Sequence, residues 1–457
     1  MPKQEEHGEQ PANRQPMSFG EYLRHYLLYL VKWVILAAII GIVCGFTGAL
    51  FYNGVMWVTA FREAHTWLLF FMPAAGLLIV FLYRMLGQEG ASTDTIIEAA
   101  REGHEIRIGL LPSIFTGTLL THLTGGSAGR EGAALQIGGS IGNKTGMLLH
   151  LDRSEMKIAT MAGMAAFFSA IFGTPLTAAM FVILFLSVGT FYEVALLPCY
   201  LASLASLRVS TLFGVQAFRF SVEVPEILTH HFVRVLILAA LTGLVSMLFC
   251  AVLHGTEGIL KKYLKNPYVR AACGGLAVIA LTLLEGSGDY NGAGGAVIAR
   301  ALAGEHIAFY AFLLKILFTA ITLGAGFKGG EIVPTFFIGA TFGAVAGPLL
   351  GIPASFGAAV GLVAMFAGVT NTVIASIFLA MEVFGGAGIL YFALASIVSY
   401  ACSGYNGLYS SQRILYSKVR PEYIDLRTNH NHLVKKARFI PRGKRSDQKK
   451  DSQKERQ

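Results

Sequence analysis

Apolar residues in this chain run in long blocks rather than alternating with polar ones. Residues 33–52, 57–86, 232–253 and 269–284 each come close to, or exceed, the roughly 20 residues that cross a bilayer as a helix. Somewhat shorter blocks follow at 307–323 and 389–402. Others, at 96–100, 134–141, 334–347 and 354–367, are too short or too interrupted for simple spans and predict helices that begin at mid-membrane. Such ends persist only where protein or a water-filled cavity satisfies the backbone. Ahead of the first block, residues 18–31 predict a short amphipathic helix lying on the membrane surface. The pattern as a whole predicts an all-α integral membrane protein of tilted and broken helices.

Composition supports this class. Of 457 residues 54% are hydrophobic and 14% charged, against about 25% charged in soluble domains. The formal charge of +9 is concentrated in the tail, around Lys435, Lys436, Arg438, Arg442, Lys444 and Arg445. The positive-inside rule places that end, and the surface helix before the first span, in the cytoplasm. Phe439 is the tail's single aromatic residue, so the interleaving that RNA binding needs is missing and no nucleic-acid partner is expected. The mostly polar stretch before residue 33 has no cleavage site at its apolar end, and the N-terminus is expected to be retained. Cys44, Cys199, Cys250, Cys273 and Cys402 lie in apolar sequence without a CxxC pair and read as small buried hydrophobes. His122 and the pair His230 and His231 are isolated, so neither a metal nor a cofactor is expected.

The chain also repeats itself. An ungapped offset of 201 sets Thr118 against Thr319, Gly125 against Gly326, Gly129 against Gly330, Gly138 against Gly339 and Gly142 against Gly343. After a small length change, Gly163 falls opposite Gly361 and Phe168 opposite Phe366. Most identities are glycines, which recur where backbones turn or approach closely. The reading divides the chain into a disordered 1–16, a first transmembrane repeat 17–213, a linker 214–229, a second repeat 230–425 and a basic tail 426–457. Duplication of this kind points to a transporter with its site between the repeats. Identities alone leave parallel and inverted repeats both open.

The chemistry concentrates in two glycine-rich segments. Gly125-Gly126-Ser127-Ala128-Gly129-Arg130-Glu131-Gly132 precedes an apolar helix, whose start offers unpaired N–H groups and a positive dipole end. The second copy, Gly326-Phe327-Lys328-Gly329-Gly330-Glu331-Ile332-Val333-Pro334, has the same physics, with Pro334 in a helix-starting role. Gly125, Gly126, Gly329 and Gly330 are the helix-start glycines of this anion site. Glu131 is a carboxylate in an apolar segment, costly to bury unless it is protonated, paired or itself occupying an anion position. A salt bridge to adjacent Arg130 is the alternative role.

The Gly-Arg-Glu-Gly segment 129–132 resembles the Gly-Arg-Glu-Gly-Pro signature of the CLC family of chloride channels and proton-coupled chloride transporters. The resemblance covers nearly the whole membrane region. It implies inverted halves, a pore in each subunit of a homodimer, and a site in the bacterial inner membrane in contact with lipid, with both termini cytoplasmic. It also implies that Glu131 is the gate and that Gly129, Arg130, Gly132, Ile332 and Val333 surround the ion. Tyr409 resembles the family's ligand tyrosine, and Ser92 or Thr93 its ligand serine, although the usual Gly-Ser-Gly-Ile-Pro is absent. As plainer readings, Ser92 and Thr93 are helix caps and Tyr409 an interfacial anchor. The implied function is chloride transport, with proton-coupled chloride or fluoride antiport as the alternative. No soluble regulatory domain is expected after the membrane region.

Three departures bear on mechanism. Ala133 replaces the proline of the signature, Glu331 stands where chloride-selective members are usually apolar, as in the fluoride-exporting branch, and Leu184 occupies the position of the internal proton acceptor. A hydrocarbon cannot relay a proton. Glu382 is the repeat counterpart of Leu184 and reads as structural. An enzyme is the distant rival, because Gly125-Gly126-Ser127-Ala128-Gly129 fits Gly-x-Ser-x-Gly. The strand, Asp and His context of a serine hydrolase does not fit a duplicated helix array, and no enzymatic activity is expected.

Overall fold

The structure, a computed structural model, describes residues 18–428. The predicted disordered 1–16 and nearly all of the basic tail 426–457 therefore lie outside the described residues. Before residue 213 come α1 (Phe19–Ala64), α2 (Met72–Met85), α3 (Thr93–Glu102), α4 (Leu110–Leu123), α5 (Glu131–Leu148), α6 (Arg153–Phe172), α7 (Pro175–Phe185) and α8 (Leu196–Leu212). After it come α9 (Thr229–Tyr263), α10 (Pro267–Glu285), α11 (Gly295–Leu302), α12 (Ala311–Gly324), α13 (Ile332–Leu349), α14 (Ala354–Thr370), α15 (Val373–Phe384) and α16 (Ile389–Cys402). The two sets match helix for helix. α5 packs on α6 as α13 packs on α14, and α1 on α8 as α9 on α16.

Small residues make the tightest of these contacts. A Cβ on Gly142 would overlap the carbonyl oxygen of Ala159 in α6, and one on Gly343 would overlap that of Gly357 in α14. The helices at the centre are therefore held backbone to backbone, and α6 and α14 are almost wholly buried. Seven helical stretches are long and apolar enough to cross a membrane, while α4, α7, α12, α14, α15 and α16 are apolar but shorter. The broken-helix expectation holds, with α5 and α13 starting deep inside the protein.

Two expectations need correction. The separate surface helix at residues 18–31 does not exist: α1 is one continuous helix of 46 residues, about 69 Å long. It starts at a capping box in which Ser18 and Glu21 bond reciprocally, and no glycine or proline falls between Gly20 and Gly41 to break it. Second, Cys44, Cys199 and Cys250 are buried as expected, but Cys273 is exposed and Cys402 half-buried. The all-α membrane expectation holds, with a small sheet of β1 (Ser187–Val188), β2 (Arg413–Tyr416) and β3 (Tyr423–Arg427) as an addition that ties the segment after α7 to the C-terminal segment.

Candidate functional site

The two glycine-rich loops meet face to face. Gly129 N donates to Gly330 O at 2.7 Å and Gly330 N to Gly129 O at 2.8 Å, a single antiparallel bridge. These residues are repeat counterparts, so equivalent positions pair with each other, as a local two-fold axis between them requires. The flanking bonds obey the same symmetry. Ser127 N donates to Thr322 Oγ1 at 3.1 Å, and Lys328 N to Thr121 Oγ1 at 3.2 Å. Each threonine hydroxyl donates in turn to the carbonyl four residues back, Thr121 to Gly117 and Thr322 to Phe318.

This arrangement changes the role of several predicted residues. The amides of Gly125 and Gly126 bond back to His122 O and Thr121 O at the end of α4, and those of Gly129 and Gly330 are used in the bridge. They are therefore corrected from free anion donors to shapers of the two loops. Gly125 and its counterpart Gly326 both have positive φ, +87° and +106°, which other residues rarely adopt. A Cβ on Gly329 would overlap the Ala128 side chain. Gly132 lies against Gly329 O and the Glu331 carboxylate.

Between the two helix starts lies Glu131. Its side chain is fully buried, and Oε2 accepts from Arg130 N at 2.9 Å and from Val333 N at 3.2 Å. A carboxylate of the first half is thus held by an amide from the first turn of α13 in the second. Helix starts offer amides to anions, and this carboxylate takes one from each of the two. Oε1 has no hydrogen-bond partner among the described residues. Arg130 Nε is 3.9 Å from Oε1, beyond hydrogen-bond reach, and its guanidinium instead covers the Tyr52 ring at 4.3 Å. Backbone amides hydrogen-bond the carboxylate, and the Arg130 guanidinium adds a longer ion pair. Ile332 is buried beside it, and Pro334 falls in the first turn of α13 as its missing N–H allows.

A cavity of about 620 Å³ reaches this region and is lined by Ser92, Thr93, Gln136, Lys328, Glu331 and Tyr409, among others. Ser92 is the exposed N-cap of α3, its N–H bonded to Thr95 Oγ1 at 3.3 Å. Thr93 is buried, and its hydroxyl oxygen accepts from Gln136 Nε2 at 3.1 Å. The Tyr409 phenol is buried and near the Glu331 carboxylate, yet it completes no hydrogen bond, and Glu331 Oε2 is likewise unpartnered. Tyr409 packs edge-on against Phe185 at 5.0 Å, so it sits inside the protein rather than at a membrane interface.

The other candidates lie around this centre. Leu184 is half-buried at the end of α7 and packs against the apolar core. Glu382 caps α7, accepting from Leu176 N at 3.0 Å and Thr177 N at 2.9 Å, which is the structural role expected for it. Ser127, the formal nucleophile of the Gly-x-Ser-x-Gly pattern, is buried with Oγ 3.1 Å from Thr319 Oγ1 across the repeat boundary. Sequence reasoning missed the Thr121 and Thr322 pair, although the offset of 201 sets them opposite each other. It also missed Lys315, fully buried with Nζ on Tyr290 O at 3.1 Å and Gly292 O at 2.7 Å. Gln136 carried no signal beyond being an amide in an apolar run.

Known proteins share this architecture. The family described as "Voltage gated chloride channel" matches residues 75–404. A chloride/fluoride channel protein of Pseudomonas syringae pv. tomato is 34% identical over 401 residues, covering 86% of this chain and 88% of that one. An H(+)/Cl(-) exchange transporter ClcA of Yersinia pestis bv. Antiqua is 27% identical, covering 76% and 79%. The crystal structure of a CLC-type fluoride/proton antiporter superposes with a TM-score of 0.81 at 32% identity, covering 87% of this chain and 99% of the other. With the signature segment at the meeting point of its two halves, this chain belongs to the CLC family of voltage-gated chloride channels and related transporters.

Proposed function

We propose that the protein carries halide ions, chloride foremost, through a pathway in each subunit that runs past the paired helix starts, with Glu131 as its gate. One observation carries this reading: the Glu131 carboxylate already occupies an anion position, bonded to amides from both halves. Swinging it out, or protonating it, exposes Arg130 N and Val333 N to a free anion of similar charge. The cavity beneath is the second part of the route, with the Tyr409 hydroxyl and Thr93 or Ser92 as donors. Its mouth carries Arg84, Lys261, Lys265 and Arg270, so the positive-inside rule makes it the cytoplasmic one. The protein is expected to work as a homodimer in lipid, in the bacterial inner membrane, with both termini cytoplasmic.

The carrying experiment is efflux of chloride and of fluoride from the same reconstituted vesicles, for wild type and Glu131→Ala. Wild type is expected to release halide, and removing the carboxylate to raise passive flux by freeing the two amides. No flux from wild type, or identical flux in both proteins, overturns the reading.

Glu331 favours a second reading, proton-coupled exchange with fluoride as the ion. Its carboxylate lines the cavity with one oxygen unbonded, a titratable group elsewhere in a chain whose Leu184 supplies none. The chloride/fluoride naming of one relative and the fluoride/proton antiport of a similar structure support it. Proton uptake driven by a halide gradient at zero voltage, lost in Glu331→Gln, is the expected result under this reading. Halide flux without proton movement leaves simple conduction.

A further inference from the structure

The cavity below Glu131 holds a charge that the gating argument does not use. Lys328 belongs to the second glycine-rich loop, and its Nζ lies 4.1 Å from the centroid of the Tyr83 ring and 3.4 Å from Ala91 O. It makes no ion pair with a carboxylate among the described residues. Its stem runs over Gly117, where a side chain would crowd Lys328 Cγ and Cβ at 3.1 and 3.2 Å. The lysine is thus seated in a slot cut for it, on an aromatic face that favours a cation.

The acidic groups around it are committed elsewhere. Asp94 accepts from Ser411 N at 2.9 Å and Ser410 Oγ at 2.8 Å, Glu257 pairs with Lys261 at 2.5 Å, and Glu89 pairs with Arg84 at 3.4 Å. Glu331, three residues along the chain, lines the same cavity without reaching the ammonium. A poorly hydrated cation without a direct salt-bridge partner is costly to keep inside a membrane protein. One fixed by backbone and an aromatic ring, and open to a cavity, is stable when a mobile anion supplies the missing charge.

We propose that Lys328 is the fixed counter-charge that draws the halide from the cavity mouth up to the level of Thr93 and Tyr409. The role rests on the halide-transport reading above and adds the residue that sets the ion's affinity on this side. The ammonium also reaches Ala91, the residue before Ser92, so the group that attracts the ion joins the start of α3 to the start of α13.

The test compares wild type with Lys328→Met, Lys328→Gln and Lys328→Arg in reconstituted vesicles, measuring halide flux as a function of halide concentration. Both neutral variants are expected to need about tenfold more halide for half-maximal flux, the order of change that loss of one nearby charge gives at an effective dielectric near 20. Maximal flux is retained, and Lys328→Arg restores the wild-type concentration dependence. Lys328→Gln keeps a donor toward Ala91, so it serves where the methionine variant fails to fold. Superimposable concentration curves overturn the proposal. So does an equal loss of maximal flux in all three variants with unchanged half-saturation, which makes the lysine a brace for the loop. An inactive wild type instead overturns the transport reading itself.

Discussion

At the scale of single residues, the site is a set of polar groups left incomplete. Glu131 Oε1, Glu331 Oε2, Gln136 Oε1 and the Tyr409 hydroxyl are all buried without hydrogen-bond partners among the described residues, although a buried unsatisfied group costs about 1–3 kcal/mol. Their clustering beside two helix starts is what a pathway for ions or protons needs. Tyr409 gives the sharpest test, because structure and function pull it in opposite directions. Tyr409→Phe removes an unsatisfied hydroxyl and keeps the ring against Phe185, so the melting temperature is expected to hold or rise by a few degrees. If the proposed ion pathway holds, the same change removes a donor to the ion, and halide affinity by calorimetry is expected to fall about tenfold or more, as loss of one hydrogen bond to a charge implies. Affinity unchanged by the substitution removes Tyr409 from the pathway. Glu131 was readable from sequence because a carboxylate among glycines in an apolar segment is expensive. Gln136 and the unpaired state of Lys328 were not, because each depends on what another helix brings near it.

At the scale of elements, glycine did most of the specifying. The repeat identities at Gly138, Gly142 and Gly163, with their counterparts Gly339, Gly343 and Gly361, became the contact lines of α5 on α6 and of α13 on α14. They were legible because close backbone approach admits no other residue. The length of α1 was harder to read, since a polar-to-apolar change of composition looks like a boundary although nothing in the backbone chemistry breaks the helix there. The small sheet was also hidden: β1 is two residues long, and its partner β2 lies more than two hundred residues away. Gly142→Leu tests the contact argument. Its Cβ would meet the Ala159 carbonyl, and overpacking of this kind costs typically about 1–3 kcal/mol, occasionally more. The expected result is a lower melting temperature and loss of the monodisperse peak in detergent. The same substitution at Gly255, which has nothing within 4 Å, is expected to be tolerated.

At the scale of the whole molecule, the two-fold relation is the organising fact, and it makes a quantitative demand. Thr121 and Thr322 do the same work for opposite loops, each accepting the amide of a residue two before the bridging glycine: Lys328 before Gly330, and Ser127 before Gly129. Both hydroxyls are buried, and both also donate within their own helices. Valine at either position has nearly the same shape and leaves one buried N–H without a partner, a penalty of about 1–3 kcal/mol. The duplication was legible in the sequence, but its hand was not, because an offset of 201 fits parallel and inverted copies equally well. The bridge adds a local two-fold axis between the halves, since equivalent residues exchange hydrogen bonds with each other in antiparallel register. If the axis governs energy as well as shape, Thr121→Val and Thr322→Val lower stability in detergent by nearly equal amounts. Their effects on transport are expected to differ, because the loop freed in Thr121→Val carries Lys328 and precedes Glu331, while the loop freed in Thr322→Val precedes Glu131. Unequal stability losses would mean that the halves share a backbone plan but no longer share their energetics.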